Sequence, residues 1–214
     1  MQTKQELIAP FASGKILDIG WAQEPNYHLK GEVYGVDIVG GEKPSNYKEV
    51  RVADLNVAPL PYADGYFDTV TMGCVLAHVA SPLKVLVEIN RVLKPGGTLV
   101  LTSPNPQYYW EVAMNTFYHF FKNRVSQSKK EEHFCSFSRF DMRTIQGRAG
   151  FAVQKELGYM FALVKTPFRF NPIKHPGMAY EIVYISRRVG KPELYTITEA
   201  SNKGGGITRV PTSL

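Results

Sequence analysis

Five short runs of apolar and β-branched residues constrain what this chain can fold into: KILDI (15–19), EVYGVDI (32–38), KEVRVAD (48–54), FDTVTMG (67–73) and GTLVLTS (97–103). Such runs, bounded by turn-forming residues, read as buried strands. Strands apolar on both sides need both faces of their sheet covered, and a parallel sheet with helical crossovers meets that need. The plainest helix is SPLKVLVEINRVLKPGG (81–97). Ser81 suits the N-cap and Pro82 the first turn, Leu83, Leu86, Val87, Ile89, Asn90 and Leu93 follow the helical period, and Pro95-Gly96-Gly97 predicts the stop. The stretch VGGEKPSNY (39–47) is too short and too rich in Gly and Pro for a crossover helix, and predicts a loop or a single turn.

After residue 103 the texture changes. PNPQYYWEVAMNTFYHFFKNRV (104–125) is aromatic and helical in its second part, and FSRFDMRTIQGRAGF (137–151) reads as a helix capped by Ser138 and closed near Gly150. AVQKELGY (152–159) and AYEIVYISRRV (179–189) predict two more strands joined by a Pro-rich loop. The expected organisation is one domain over 1–190, with an aromatic, helical lid inserted at about 104–137 and a flexible tail over 191–214.

Charge is unevenly placed. Residues 1–119 hold 9 Lys and Arg against 12 Asp and Glu, whereas residues 120–190 hold 13 against 5. A basic second half is either a solvated surface or an attractor for an acidic or phosphate-bearing molecule. The two cysteines, Cys74 and Cys135, have neither the number nor the spacing of a disulfide framework or a zinc site, and no metal is expected. No run of eighteen apolar residues and no secretory leader pattern is present, so the expected location is the cytoplasm, with no transmembrane segment.

Three acids close the first three strands. Asp18 and Gly20 sit in a strand-to-turn stretch, where the mouth of an open parallel sheet takes its ligand. Asp37 ends the second strand, nineteen residues on, where a carboxylate can accept hydrogen bonds from both hydroxyls of a ribose. Asp54 ends the third. It is followed by LPYADGYFDTVTMGCVLAHVASPLKVLVEINRVLKPGG (60–97). With Leu-Pro-aromatic, Phe-Asp and a late Leu-Lys-Pro-Gly-Gly in order, the run over about 13–105 resembles the class I S-adenosylmethionine-dependent methyltransferases of the small-molecule, type 11-like group.

That resemblance implies an α/β fold: a Rossmann-like, doubly wound, seven-stranded sheet in three αβα layers, mostly parallel with the last strand antiparallel. It implies S-adenosylmethionine as cofactor and S-adenosylhomocysteine as product. Asp18 and Gly20 match the motif whose loop backbone holds the methionine part, and Asp37 matches the ribose acid. Asp54 and Leu55 match the residues beside the adenine, and Gly73 and Cys74 the strand end beneath the methionine, with Val75 and His78 opening the next helix. The chain departs from the family pattern at Trp21, Ala22 and Glu24, where the loop commonly carries Cys, Gly and Gly; the following Pro25 and Asn26 predict a short helix with Glu24 turned outward or toward the cofactor's ammonium.

Methyl transfer to a hydroxyl needs a proton acceptor, and His133, His78 and His119 are the candidates, His133 first because it precedes the late helix. The motif around it is similar to enzymes acting on glycans, lipids or other small hydroxylated molecules. An O-methyltransferase for an acidic or phosphate-linked acceptor, such as a sugar or lipid-like metabolite, would use Tyr108 on the substrate wall and Arg139, Arg143 and Lys129 on the phosphate. A quinone-type acceptor remains open. SPNPQYY (103–109) follows the fifth strand rather than the fourth, so it does not signal methylation of nucleic-acid bases, and no nucleic-acid partner is expected. Two other classes stand beside this reading: a catalytically silent cofactor-binding or protein-interaction scaffold, and a nicotinamide-dependent oxidoreductase, which would need the glycine fingerprint this loop lacks.

Overall fold

Seven strands form one sheet: β1 (Lys15–Ile19), β2 (Glu32–Asp37), β3 (Tyr47–Val52), β4 (Phe67–Gly73), β5 (Leu93–Pro104), β6 (Phe151–Tyr159) and β7 (Glu181–Arg188). They come from a computed structural model that describes residues 2–109, 112–113, 116, 135–162, 169–170, 175–193, 195–199 and 208–211. The spatial order is β3-β2-β1-β4-β5-β7-β6. The first five strands are parallel. β7 is antiparallel to both β5 and β6, so it alone runs against the others.

Among the described residues, three helices with defined bounds flank the sheet: α1 (Lys4–Ile8), α2 (Pro82–Val92) and α3 (Arg139–Arg148). α1 and α3 begin with reciprocal capping boxes, Thr3 with Glu6 and Ser138 with Asp141, which satisfy backbone N–H groups that the first turn leaves unpaired. α2 departs from expectation at both ends. Ser81 holds the N-cap position without a side-chain hydrogen bond, and the helix stops at Val92 instead of at the Pro-Gly-Gly. Leu93 is already extended, fully buried and in register with Phe67, so joining the sheet outweighs continuing the helical pattern through Lys94.

The two faces are covered differently. Leu17, Ile19, Tyr34, Val36, Met72, Leu99, Leu101, Ile182 and Tyr184 face Leu86 and Ile89 of α2 and Met142 of α3. On the other face, Leu7 and Ile8 of α1 cover Val100, Val183 and Ile185, while Trp21 and Leu29 cover Ile16, Val33 and Tyr47. Helices therefore lie on both sides of the sheet. The connections β1–β2, β2–β3 and β3–β4 contain no α-helix, however, which corrects the expectation that helices alternate with the first strands. It also corrects the short helix expected near Pro25: residues 21–23 form a turn and Pro25-Asn26 are irregular. The stretch 39–47 is irregular up to β3, as its Gly and Pro content predicts.

Trp21 takes the place of the missing crossover helix. Its ring is 2% exposed, lies 5.9 Å from the Tyr47 ring, and rests against Gly35 in mid-β2. A Cβ on Gly35 would lie 2.7 Å from Trp21 Cδ1 and 2.8 Å from Nε1. Glycine in a strand interior weakens it unless another group needs the space, and here an indole does.

Among the described residues, two short antiparallel pairs lie outside the main sheet: Phe161–Ala162 with Arg169–Phe170, and Tyr195–Glu199 with Thr208–Pro211, the latter within the stretch expected to be a flexible tail. Most of the expected lid falls outside the described residues. Its start, Asn105, is fixed by donating to the carbonyls of Gly177 (3.0 Å) and Ala179 (2.8 Å). Among the described residues, no helix is long and apolar enough to cross a membrane.

Gly35→Ala tests this arrangement. Because the conflict is with a buried ring rather than with backbone angles, the variant should lose about 1–3 kcal/mol of stability, the usual cost of overpacking. Denaturant unfolding of both proteins measures it, and an unchanged midpoint would mean the ring moves aside freely.

Candidate active site

The C-terminal ends of the parallel strands open into a cavity of about 530 Å³, lined by Gly20, Asp37, Asp54, Leu55, Gly73, Cys74 and His78. Its wall also includes Lys4, Gln23, Glu24, Asn56, Pro104, Tyr180 and Glu181, none of which had been singled out as a site residue except Glu24, noted for its possible turn toward an ammonium group. A crevice at this edge is where open α/β sheets take ligands, and its volume suits a nucleoside-sized molecule.

Gly20 turns the chain out of β1 with φ +83°. A Cβ there would lie 2.3 Å from Val75 Cγ2, so the tight approach of the β1 and β4 ends requires glycine. Facing it, Gly73 has nothing within 4 Å of the Cβ it lacks, so the cavity floor is left clear.

Asp37 does two things at once. Its Oδ2 accepts from the Ala22 N–H (2.9 Å) and its Oδ1 from the Val39 N–H (3.2 Å), so the carboxylate anchors both flanking loops. Each oxygen keeps a further lone pair, as two vicinal hydroxyls would require. Asp54 Oδ1 accepts from the Asn56 backbone N–H (2.8 Å) and side-chain amide (3.0 Å), and Asn56 Oδ1 accepts from Ala80 N–H (2.7 Å). Asn56 thus ties the β3 end to the segment after β4. No residue-type pattern marked it; only its position two residues after Asp54 could have done so.

Asp18 stands apart. Strand alternation turns its side chain onto the face covered by Trp21, beneath the loop and outside the cavity lining. It accepts from the Tyr47 hydroxyl (2.5 Å) and the Thr71 hydroxyl (2.7 Å), while Tyr47 Oη accepts from the Asn26 N–H (3.1 Å). Burial pushes the Asp18 carboxyl up to about 6, against the lowering effect of those two hydroxyls. Asp18 therefore holds the loop's underside and does not reach the ligand space.

At the other end, Cys74 adopts a left-handed φ of 55°. Its N–H is shared between the Thr102 carbonyl (3.2 Å) and hydroxyl (3.1 Å), and its thiol donates to Glu181 Oε1 (3.0 Å). Burial, reinforced by the Glu181 charge, pushes the thiol up to about 12, so it stays a neutral donor and is no nucleophile. Val75–His78 form a 3₁₀ turn, with His78 exposed at the cavity rim.

The substrate-side candidates fare differently. Tyr108 is buried against the Tyr180 ring (5.8 Å between centroids), one ring behind the cavity wall. Arg139 and Arg143 are not in the lining; both are committed to the buried carboxylate of Glu156, through Arg139 Nε (2.9 Å) and Nη2 and through Arg143 Nε (2.5 Å). Burial opposes ionisation of Glu156, but these guanidinium bonds outweigh it and hold its carboxyl low. The reading of Arg139 and Arg143 as free phosphate ligands is thereby corrected: a buried acid in β6 claims them first. His133, His119 and Lys129 lie outside the described residues.

Residues 17–101 match the family model described as a methyltransferase domain. Over that stretch the chain is similar to a methyltransferase domain. A demethylmenaquinone methyltransferase of Staphylococcus aureus is 42% identical over 76 residues, covering 33% of this chain and 32% of that relative. The chain thus matches about a third of the length of the curated relatives. Among solved structures, an S-adenosylmethionine-dependent methyltransferase from Thermotoga maritima is similar with a TM-score of 0.58 at 20% identity over 83% of each chain. One from Methanosarcina mazei gives 0.57 at 18% identity over 86% of this chain and 97% of that one. These likenesses carry the fold. The cofactor implied by the family, S-adenosylmethionine, fits the site: the glycine approach at Gly20, the clear floor at Gly73 and the doubly anchored Asp37 leave room and acceptors for a nucleoside.

The Asp18 carboxyl gives a pH signature. From about pH 4 to pH 6 the unfolded chain has lost this proton while the folded chain keeps it, so its contribution to stability falls as pH rises, by about 3 kcal/mol for a shift of roughly two pK units. Asp18→Asn removes the ionisation and keeps the size. The stability of the variant relative to the unaltered protein should therefore rise between pH 4 and pH 7. A pH-independent difference in urea unfolding would show that Asp18 ionises normally.

Proposed function

We propose that this chain transfers a methyl group from S-adenosylmethionine to a small acceptor. The observation that carries the reading is the charge of the cavity: among the described residues its lining holds Glu24, Asp37, Asp54 and Glu181 against a single lysine, Lys4. Four carboxylates favour a ligand bearing a sulfonium and an ammonium, and they disfavour the pyrophosphate of a nicotinamide dinucleotide, which binds over a glycine-rich helix N-terminus. Here the turn after Gly20 leads into no helix. This supports the methyltransferase over the oxidoreductase.

When bound, the cofactor supplies an activated methyl group. The chain's own tasks are alignment and proton handling. Asp37 takes the ribose hydroxyls, Asp54 and the Leu55 backbone border the base, and the Gly20 and Gly73 backbone flank the methionine part. The acceptor would enter between the 3₁₀ turn and the start of β7, where His78, Tyr180 and Glu181 line the wall. His78, at the rim, is the base within the described residues, removing the acceptor's hydroxyl proton as the methyl group transfers.

For the acceptor we infer a small hydroxylated molecule of sugar or lipid-like type, methylated on oxygen. A phosphate on that acceptor loses its support, since Arg139 and Arg143 are held by Glu156. The curated relatives act, by name, on demethylmenaquinone, but the match spans only about a third of each chain, so their acceptor does not transfer with it.

Calorimetric titration of S-adenosylhomocysteine, with NAD as comparison, tests the assignment. S-adenosylhomocysteine should bind and NAD should not, and Asp37→Ala should weaken binding roughly ten- to a hundred-fold, the scale of losing a bidentate charge-assisted contact. Binding of S-adenosylhomocysteine without methylation of any hydroxylated acceptor would favour the silent scaffold. Failure of the intact protein to bind it would remove the methyltransferase reading.

A further inference from the structure

In a glycine-rich loop, backbone N–H groups point at the ligand. This loop has given that arrangement up: the Ala22 N–H is held by Asp37, and Glu24 carries a side chain where the family has none. What stands there instead is α1. Gln5 Nε2 donates to Glu24 Oε2 (3.1 Å), Asn26 Nδ2 donates to the Gln5 carbonyl (3.3 Å), and Lys4 Nζ lies 3.6 Å from Glu24 Oε2. The same Nζ is 3.6 Å from Glu181 Oε1, the carboxylate that accepts from Cys74.

Lys4 is thus suspended between the β1 loop and the start of β7, with its side chain 19% exposed, beside the strand end that borders the methionine part. At 3.6 Å it is in ion-pair range of both acids, held between them rather than closed tightly onto either. Among the described residues it is also the only lysine or arginine lining the cavity. A cation flanked by two carboxylates is the complement of a zwitterion, whose carboxylate and ammonium need opposite partners a few ångströms apart.

We propose that Lys4 takes the α-carboxylate of the cofactor and Glu24 its α-ammonium, so that side chains on α1 and the altered loop replace the missing glycine backbone in recognising the amino-acid end. The proposal rests on the S-adenosylmethionine reading above. It makes α1 part of the cofactor site and Lys4 a specificity residue.

The test compares two ligands by calorimetry on the full chain: S-adenosylhomocysteine, and 5′-methylthioadenosine, which keeps the nucleoside and thioether but lacks the amino-acid end. Lys4→Met should weaken S-adenosylhomocysteine about ten-fold or more and leave methylthioadenosine within about two-fold, while Lys4→Arg restores most of the loss. Equal weakening of both ligands would assign Lys4 a merely structural role in seating α1, and unchanged affinity for both would leave it no role; either overturns the proposal while the cofactor reading stands. Binding of neither ligand by the unaltered protein overturns both.

Discussion

The packing of Trp21 over Gly35 is the constraint on which the rest of this structure leans. A parallel sheet needs both faces covered, and the first three connections supply no helix to do it. One indole, seated against the side-chain-free Gly35 of β2, covers the sheet near the cavity. The polar layer beside it fixes the loop's height: Asp18 joins Tyr47 and Thr71, and Tyr47 accepts from Asn26. Because Asp18 belongs to this layer, the loop that follows can present Gly20 and the Ala22 N–H at set positions. Asp37 then receives that N–H, and the acid that would meet the ribose is positioned by the same packing.

The charge asymmetry of the sequence takes on a different meaning once the side chains are placed. Part of the basic excess of the second half is built into the structure: Arg139 and Arg143 serve Glu156, Arg187 donates to the Gly96 carbonyl (2.6 Å), and Arg188 donates to the Leu93 carbonyl. Such residues hold β6 to α3 and β7 to the start of β5. Three acids of the first half, Glu24, Asp37 and Asp54, instead line the cavity, the last two because β2 and β3 lead there. The field a ligand meets is set by which strand ends carry the acids, and the net charge of +6 says nothing about it.

Much of the fold was legible because it rests on local signals. Apolar and β-branched runs marked all seven main strands to within a few residues, and the Ser138 cap marked the start of α3. The acids at strand ends were legible by position, and Asp37 and Asp54 do line the cavity. What stayed hidden depends on distant pairs. Nothing local says that Trp21 belongs with Gly35, or that Lys4, Glu24 and Glu181 meet, since they come from three separate segments. Asp18 was placed at the ligand by its motif, whereas alternation along β1 turns it away. One signal was available and missed: AYEIVYIS carries a lone carboxylate in an otherwise apolar strand, and a buried acid of that kind needs a partner.

That carboxylate reaches the cavity for a topological reason. Parallel strands can offer only their last residues to the ligand edge, and β7 is the one strand that runs the other way. Its first residue, Glu181, therefore arrives beside the last residue of β4 and the end of β5. Cys74 accepts a left-handed backbone there, at a cost of about 1–2 kcal/mol for a residue with a side chain. Its N–H is held by Thr102 and its thiol by Glu181, which offset that cost and lock three strand ends together. Reversing β7 does more than close the sheet. It brings an acid from late in the chain to within 3.6 Å of a lysine from the first helix, and so makes the wall of the cavity from both ends of the sequence.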